Sequence, residues 1–215
     1  MAEEDEQWEA FKRWWKKNGS SVLMGIAIVV LGIAGWQYWE AREAAARAEA
    51  RQGFDSVIST LQSDKETEER LSTMEYALDS LKDSQPGSPY TVISAMVAAS
   101  VYMEESRPED AADELEWALE QAGGEPLPRV IRLRLARAQL ASSNAEGALS
   151  TLDGLDDAGE FAPLFHELRG DAHHAAGNEE AARKAYQAAR ESSGEDVNDR
   201  LLELKLSDLA VMEEG

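Results

Sequence analysis

Residues 168–189, LRGDAHHAAGNEEAARKAYQAA, decide the fold of this chain. Gly177-Asn178 is a turn signal that separates two alanine-rich stretches with apolar residues at helical spacing. Small residues at Gly170 and Ala182 would let the two helices approach closely, while Tyr186 would fill the space beside them. The stretch therefore predicts a pair of helices joined by a short turn.

The same spacing occurs twice more toward the N-terminus. A shift of 34 residues places Ala136, Ser143, Ala148, Leu152 and Leu155 in equivalent positions. A further shift of 37 residues places Ala99, Tyr102, Ser106, Ala111, Leu115 and Ala118 there, with the three extra residues in the Gly123–Pro126 connection. Small residues, a turn and a bulky residue at these intervals match the tetratricopeptide repeat.

A degenerate unit precedes these three. Its first helix would run from Gly53 to Ser63, and Met74, Leu78 and Leu81 would lie on its second helix. The segment Val197–Leu209 predicts a final helix that covers the apolar end of the stack. The fold class predicted is all-α: a tetratricopeptide-repeat-like α-solenoid with three clear units, one degenerate unit and a C-terminal capping helix, preceded by a transmembrane helix.

The transmembrane helix is predicted from an uncharged run of 22 residues, Asn18 to Trp39. A helix of about 20 residues crosses a hydrocarbon core of about 30 Å. Aromatic residues, which favour the membrane interface, stand at both ends: Trp14 and Trp15, then Trp36, Tyr38 and Trp39. No small-x-small cleavage site closely follows the run, so an uncleaved anchor is favoured over a cleaved signal peptide or a buried soluble helix.

Basic residues predict the orientation of this anchor. Lys12, Arg13, Lys16 and Lys17 crowd the N-terminal flank, whereas the other flank mixes arginine with glutamate. The positive-inside rule then predicts residues 1–19 in the cytoplasm, 20–39 in the membrane, 40–52 as a helical stalk and 53–215 as an exported domain. Gly25, Gly32 and Gly35 form a candidate face for a partner helix within the membrane.

The charge of the chain is strongly acidic, at −21 overall. Residues 54–215 hold 34 acidic and 14 basic residues, a net charge of −20. This excludes nucleic acid as a partner of the domain, because phosphates need a basic surface. Solubility or adaptation of the source to salt accounts for the acidity.

The first helices of the repeats predict a concave partner-binding groove. The positions that face inward in such a solenoid hold Ile93, Met96, Ser100 and Met103, then Val130, Leu133, Arg137 and Leu140, then Leu164, Glu167, Asp171 and His174. Methionine and aliphatic side chains suit extended or partly unfolded polypeptide, since methionine adapts its shape. The candidate groove residues are Ile93, Met96, Met103, Val130, Leu133, Arg137, Leu140, Leu164 and His174. The alternative is that the C-terminal segment simply covers some of them.

No catalytic constellation is present in the sequence. The chain has no cysteine, and His166-Glu167 fails to continue as HExxH because Gly170 occupies the second histidine position. The adjacent His173 and His174 point to different sides of a helix. We therefore expect a non-enzymatic protein without a metal or cofactor.

Several motifs resemble the YfgM family across essentially the whole chain. They are EAFKRWW from Glu9, NG at Asn18, GWQYW from Gly35, LRLARAQL from Leu133, LRGDA from Leu168 with GN and AARKAYQAA behind it, and the final LKLSDL. The resemblance implies a bacterial inner-membrane protein with one span, a cytoplasmic N-terminus and a periplasmic tetratricopeptide domain.

The resemblance also implies partners. It predicts an ancillary subunit of the SecYEG translocon that works with a PpiD-like membrane-tethered chaperone and assists nascent exported polypeptides, with membrane lipid around its span. A link of this family to stress regulation would fall on residues 1–17. The alternative function is a regulatory or assembly scaffold in the envelope that recruits one fixed partner.

Overall fold

The computed structural model describes residues 2–63, 66–124, 126–155, 157–193 and 200–212, and side chains within residues 5–209 of these ranges. No strand occurs in these ranges. The helices are α1 (Ala2–Leu61), α2 (Thr67–Ser84), α3 (Pro89–Glu104), α4 (Pro108–Gln121), α5 (Leu127–Ala141), α6 (Ala145–Asp153), α7 (Ala162–Ala175), α8 (Glu179–Ser192) and α9 (Arg200–Met212), with a 3₁₀ turn at Gly159–Phe161. The predicted all-α class is confirmed.

The chain divides into two compact units, Met1–Glu49 and Ala50–Gly215. The first unit contains the N-terminal part of α1, whose large apolar side chains between Leu23 and Trp39 are exposed. Within the described residues, this helix is the one long and apolar enough to cross a membrane. Such exposure is costly in water and favourable in hydrocarbon, as the span prediction requires.

An aromatic cluster precedes the apolar run in the first unit. The rings of Trp8, Phe11, Trp14 and Trp15 follow one another at centroid distances of 5.7 to 6.4 Å. The Lys12 ammonium lies 5.5 Å from the Trp8 ring and 3.0 Å from Glu9. Aromatic and basic groups side by side suit the headgroup layer of a membrane.

The second unit repeats one turn geometry three times. Ser106, Ser143 and Gly177 occupy equivalent sequence positions and share a left-handed backbone, with φ of 58°, 63° and 76°. In each case the next residue donates its amide to a carbonyl five residues earlier: Arg107 to Tyr102, Asn144 to Gln139 and Asn178 to His173, at 2.7 to 2.8 Å. This repetition supports the repeat assignment independently of side-chain identity.

Local sequence explains where the helices begin. Proline stands in the first turn of α3, α4, α5 and α7, where its missing amide donor costs nothing. At α6 the side chain of Asn144 caps the helix by accepting the amide of Gly147 at 2.9 Å.

Small residues set the distance between paired helices. A Cβ atom at Gly170 in α7 would overlap the ring of Tyr186 in α8, and one at Gly53 would overlap Leu81 of α2. Both contacts join residues that the repeat pattern assigns to the two helices of one unit. In the degenerate unit the second helix, α2, buries Met74, Leu78 and Leu81.

The core of the second unit follows the chain in order. From α2 to α9 each helix packs against its neighbour in sequence, and α5 also packs against α7. Buried residues form one cluster from Val57 to Ala138, a second between α5 and α7, and a third between α8 and α9. Leu202 and Leu209 of α9 belong to the third cluster, as expected of a capping helix; residues 197–199 of the predicted helix lie outside the described residues.

Candidate partner-binding site

A cavity of about 290 Å³ opens on the second unit between three helices. From α3 it is lined by Met96, Ala99, Ser100 and Met103. Leu115 of α4 and Arg134 and Arg137 of α5 complete the lining. We call this the α3–α5 cavity. It lies between the first helices of two successive repeats, α3 and α5.

The α3–α5 cavity has an apolar floor and a polar rim. Met96, Ala99 and Leu115 are buried, Met103 is half-buried, and Ser100, Arg134 and Arg137 are exposed. The Ser100 hydroxyl donates to the carbonyl oxygen of Met96 at 3.1 Å. The guanidinium groups therefore supply the N–H donors that the rim offers to a ligand.

The structure brings together three of the predicted groove residues, Met96, Met103 and Arg137. The other predicted residues lie outside the cavity lining. Ile93 is exposed, Val130 packs on the first core cluster, Leu140 and Leu164 pack on the second, and His174 is exposed. Leu133 is only 3% exposed and forms part of the second cluster, so it contributes core volume rather than contact surface.

Sequence reasoning missed Arg134, Ala99 and Leu115 as lining residues. The repeat pattern predicts a helix-packing role for Ala99 and Leu115, and both are buried in the first core cluster. Arg134 falls outside the inward positions of an idealised repeat. A usable signal was present nevertheless: α5 contains four arginines and no acidic residue, in a domain that is otherwise acidic.

In the last repeat, the C-terminal helix covers part of the predicted concave face. Lys205 of α9 donates to Glu167 at 2.7 Å and to both carboxylate oxygens of Asp171 at 2.6 and 2.9 Å. The Tyr186 hydroxyl donates to the same Asp171 at 2.8 Å. Helix α9 therefore contacts Glu167 and Asp171 of this row, while His174 stays exposed.

Burial and neighbouring charges shift the pKa of Lys205 in opposite directions. Burial lowers the pKa of Lys205, but the hydrogen bonds and charges of Asp171 and Glu167 outweigh it, leaving the pKa above its ordinary value. Burial and then the hydrogen bond to Asp171 raise the pKa of Tyr186. Lys205 is thus charged and Tyr186 neutral across the physiological range, and together they fix α9 against α7 and α8.

The histidines do not assemble a site. Burial, with the Arg169 charge second, lowers the pKa of His166 and of His173. Among the described side chains no group of three or more His, Asp or Glu is placed to hold a metal ion.

The three glycines of the apolar run share one side of α1. Gly25 and Gly32 are two turns apart, and Gly35 follows within a turn. A Cβ atom at any of them would meet open space. The face is free of contacts within the described residues, and its role as a helix-docking face stays a prediction.

Comparison with known proteins extends over nearly the whole chain. A family profile described as a tetratricopeptide repeat-like domain matches residues 12–211. A relative from Escherichia coli strain K12 is 26% identical over 208 residues, 97% of this chain and 97% of the relative. Relatives from Haemophilus influenzae and Neisseria gonorrhoeae are each 27% identical over 208 residues, covering 96% of this chain and 98% and 97% of the relatives. All three are named "Ancillary SecYEG translocon subunit". No solved structure matches the chain significantly.

Proposed function

Since this chain belongs to the tetratricopeptide repeat-like domain family, we propose that it is a membrane-anchored protein-interaction module that assists newly exported proteins at the SecYEG translocon. The resemblance to the YfgM family is confirmed by curated relatives that match this chain over nearly its full length. Their printed name supports a role beside the translocon, and the repeat family supports protein binding rather than catalysis.

The observation that carries the proposal is the open α3–α5 cavity. Its adaptable methionines and buried apolar floor can accept varied side chains, which a binder of unfolded segments needs. A protein with one fixed partner has no such need. We assign transient binding of nascent exported polypeptide to this cavity.

The span supports the rest of the proposal. Basic residues before the apolar run favour a cytoplasmic N-terminus. With the span in a bacterial inner membrane, the second unit then lies in the periplasm. The glycine face would receive a translocon helix, with lipid around the remainder of the span. A PpiD-like chaperone would accept chains from the same module, and no catalytic step or cofactor is involved.

A co-purification experiment tests the two surfaces separately. Ser100→Trp would fill the α3–α5 cavity from its exposed rim, and Tyr76→Trp on α2 serves as the matched control because Tyr76 is 78% exposed and outside the cavity lining. Replacing residues 18–39 with an unrelated span tests the membrane face. The full chain is isolated in mild detergent, and bound exported proteins and translocon subunits are quantified.

We expect Ser100→Trp to lose exported chains and keep the translocon, and the span replacement to lose the translocon. The control should keep both. If the wild type yields one stoichiometric partner and no exported chains, the regulatory scaffold is the correct function. If neither class of protein is recovered with the wild type, the proposal fails.

A further inference from the structure

Helix α5 is positively charged, whereas the domain around it is strongly acidic. Its 15 residues, Leu127–Ala141, hold four arginines and no acidic residue. These are four of the 14 basic residues in 54–215, where 34 acidic residues are present. A cationic helix inside an acidic domain would be expected to satisfy its charges with nearby carboxylates.

The four arginines of α5 form two pairs that lie in different surroundings. Arg129 and Arg132 lie toward the connection after α6, beside Gly159 and Gly154. Arg134 and Arg137 instead line the α3–α5 cavity, where no acidic residue is part of the lining. Neither of these two side chains has a hydrogen bond or ion pair with any part of the chain that the structure describes.

Other basic residues of this unit contrast with that pair. Lys82 reaches Glu114 at 2.6 Å, Arg107 reaches Asp110 at 2.7 Å, and Arg70 reaches Glu105 at 3.3 Å. Carboxylates are thus abundant enough to pair cations elsewhere on the same helical stack. The cavity combines two open guanidinium groups with an apolar floor.

We propose that the α3–α5 cavity recognises an extended polypeptide segment in which an acidic side chain stands beside large apolar side chains. Arg134 and Arg137 bind the carboxylate, and the half-buried Met103 and the floor residue Met96 contact the neighbouring apolar groups. The inference rests on the proposed function and names the class of segment that the binding module selects.

The geometry of α5 suits one carboxylate shared by two arginines. Residues three apart on a helix have Cβ atoms about 5–6 Å from each other, so both guanidinium groups can reach the same anion. Arginine presents N–H donors in a fork that matches a carboxylate, and charge-assisted bonds of this kind are stronger than neutral ones. The adjoining apolar floor adds burial that a purely charged surface lacks.

The acidity of the domain does not prevent this binding. At physiological ionic strength, charges more than about 8 Å apart are largely screened, so the contacts inside the cavity dominate over the net charge. A side-chain carboxylate is the expected source, because an exported chain presents many of these and a single C-terminus.

Fluorescence anisotropy with short labelled peptides tests the proposal on the full chain in detergent. The probe is an amidated peptide with leucine and methionine flanking a central glutamate, and its matched version carries glutamine instead. A third peptide combines the glutamine sequence with a free C-terminal carboxylate. The variant is R134Q/R137Q, and R132Q is the control because it removes a charge from the same helix outside the cavity lining. Circular dichroism verifies that each variant keeps its helix content.

We expect the wild type and R132Q to bind the glutamate peptide about tenfold more tightly than the glutamine peptide. In R134Q/R137Q that preference should disappear, while the weaker binding of the glutamine peptide persists. Equal binding of both amidated peptides by the wild type would overturn the inference and leave the proposed function standing. A preference only for the free C-terminus, or a glutamate preference that survives in R134Q/R137Q, would also overturn it. Failure of all peptides to bind would count against the cavity as a binding site, and hence against the proposed function.

Discussion

Lys205 donates hydrogen bonds to both carboxylate oxygens of Asp171, with its ammonium nitrogen 2.6 and 2.9 Å away. These bonds connect the last helix, α9, to α7. The two side chains are 23% and 30% exposed, so the pair is largely removed from water. Glu167 and Tyr186 complete the cluster. This polar cluster thus holds the C-terminal helix in place together with the apolar contacts of Leu202 and Leu209.

Replacing Lys205 with methionine should destabilise the domain by about 1–2 kcal/mol, because Asp171 and Glu167 would be left half-buried without their cation. Urea unfolding followed by circular dichroism measures the effect. Lys184→Met is the control, since the Lys184–Glu180 pair is as short, at 2.6 Å, but exposed, and its loss should have little effect. Equal stability of the Lys205→Met variant and the wild type would refute this role for the cluster.

Gly170→Ala should destabilise the domain by about 1–3 kcal/mol, because the added methyl group would overlap the Tyr186 ring and push α7 away from α8. The control is Gly87→Ala, where a Cβ atom meets open space. Thermal unfolding of the two variants and the wild type distinguishes them. If both alanine variants unfold together with the wild type, the close approach at Gly170 is not a structural requirement.

The pH dependence of stability should contain a histidine component from His173. Burial, then the Arg169 charge, lowers its pKa in the folded state below 6.5, so the unfolded chain binds the proton more tightly. Its stabilising contribution is therefore present above pH 6.5 and is lost as pH falls through 6.5 toward the folded-state pKa. His173→Gln should lose less stability than the wild type between pH 7.5 and about 5.5.

The control for this measurement is His174→Gln, because His174 is exposed on the same helix. This substitution should leave the stability at pH 7.5 close to that of the wild type. Parallel profiles for His173→Gln and the wild type would show that the His173 environment does not couple protonation to folding.

The absence of cysteine allows the membrane orientation to be tested directly. Single variants Glu6→Cys and Tyr76→Cys place one thiol on each side of the predicted span. A membrane-impermeant maleimide, added to bacterial cells with a permeabilised outer membrane, should label residue 76 and reach residue 6 only after lysis of the inner membrane. The reverse pattern would invert the assigned topology.

The sequence was sufficient to predict the repeat architecture. The periodic alanines and turn residues indicate this architecture, because few side chains fit between closely packed helices or adopt a left-handed turn. Thus Ser106, Ser143 and Gly177, aligned by their spacing, share one backbone conformation. The apolar run in α1 was equally readable, since length and charge alone define a candidate span.

The binding surface was less predictable, because idealised inward positions do not tell which side chains neighbouring helices cover. Leu133 is buried by packing between α5 and α7, and Glu167 and Asp171 are contacted by Lys205 of α9. Arg134 lines the cavity although it lies outside the idealised pattern. These outcomes depend on tertiary packing, which the repeat period does not encode.

A photo-crosslinker at Ser100 most directly tests whether the α3–α5 cavity receives exported chains. Chains arrested at increasing lengths during export are presented to the full-length protein in native membranes, with the same crosslinker at Tyr76 as the reference. We expect adducts from Ser100 that begin once the chain is long enough to emerge from the translocon, with few from Tyr76. No adduct from Ser100 at any length, or equal adducts from both positions, would contradict the role of the α3–α5 cavity in binding exported chains.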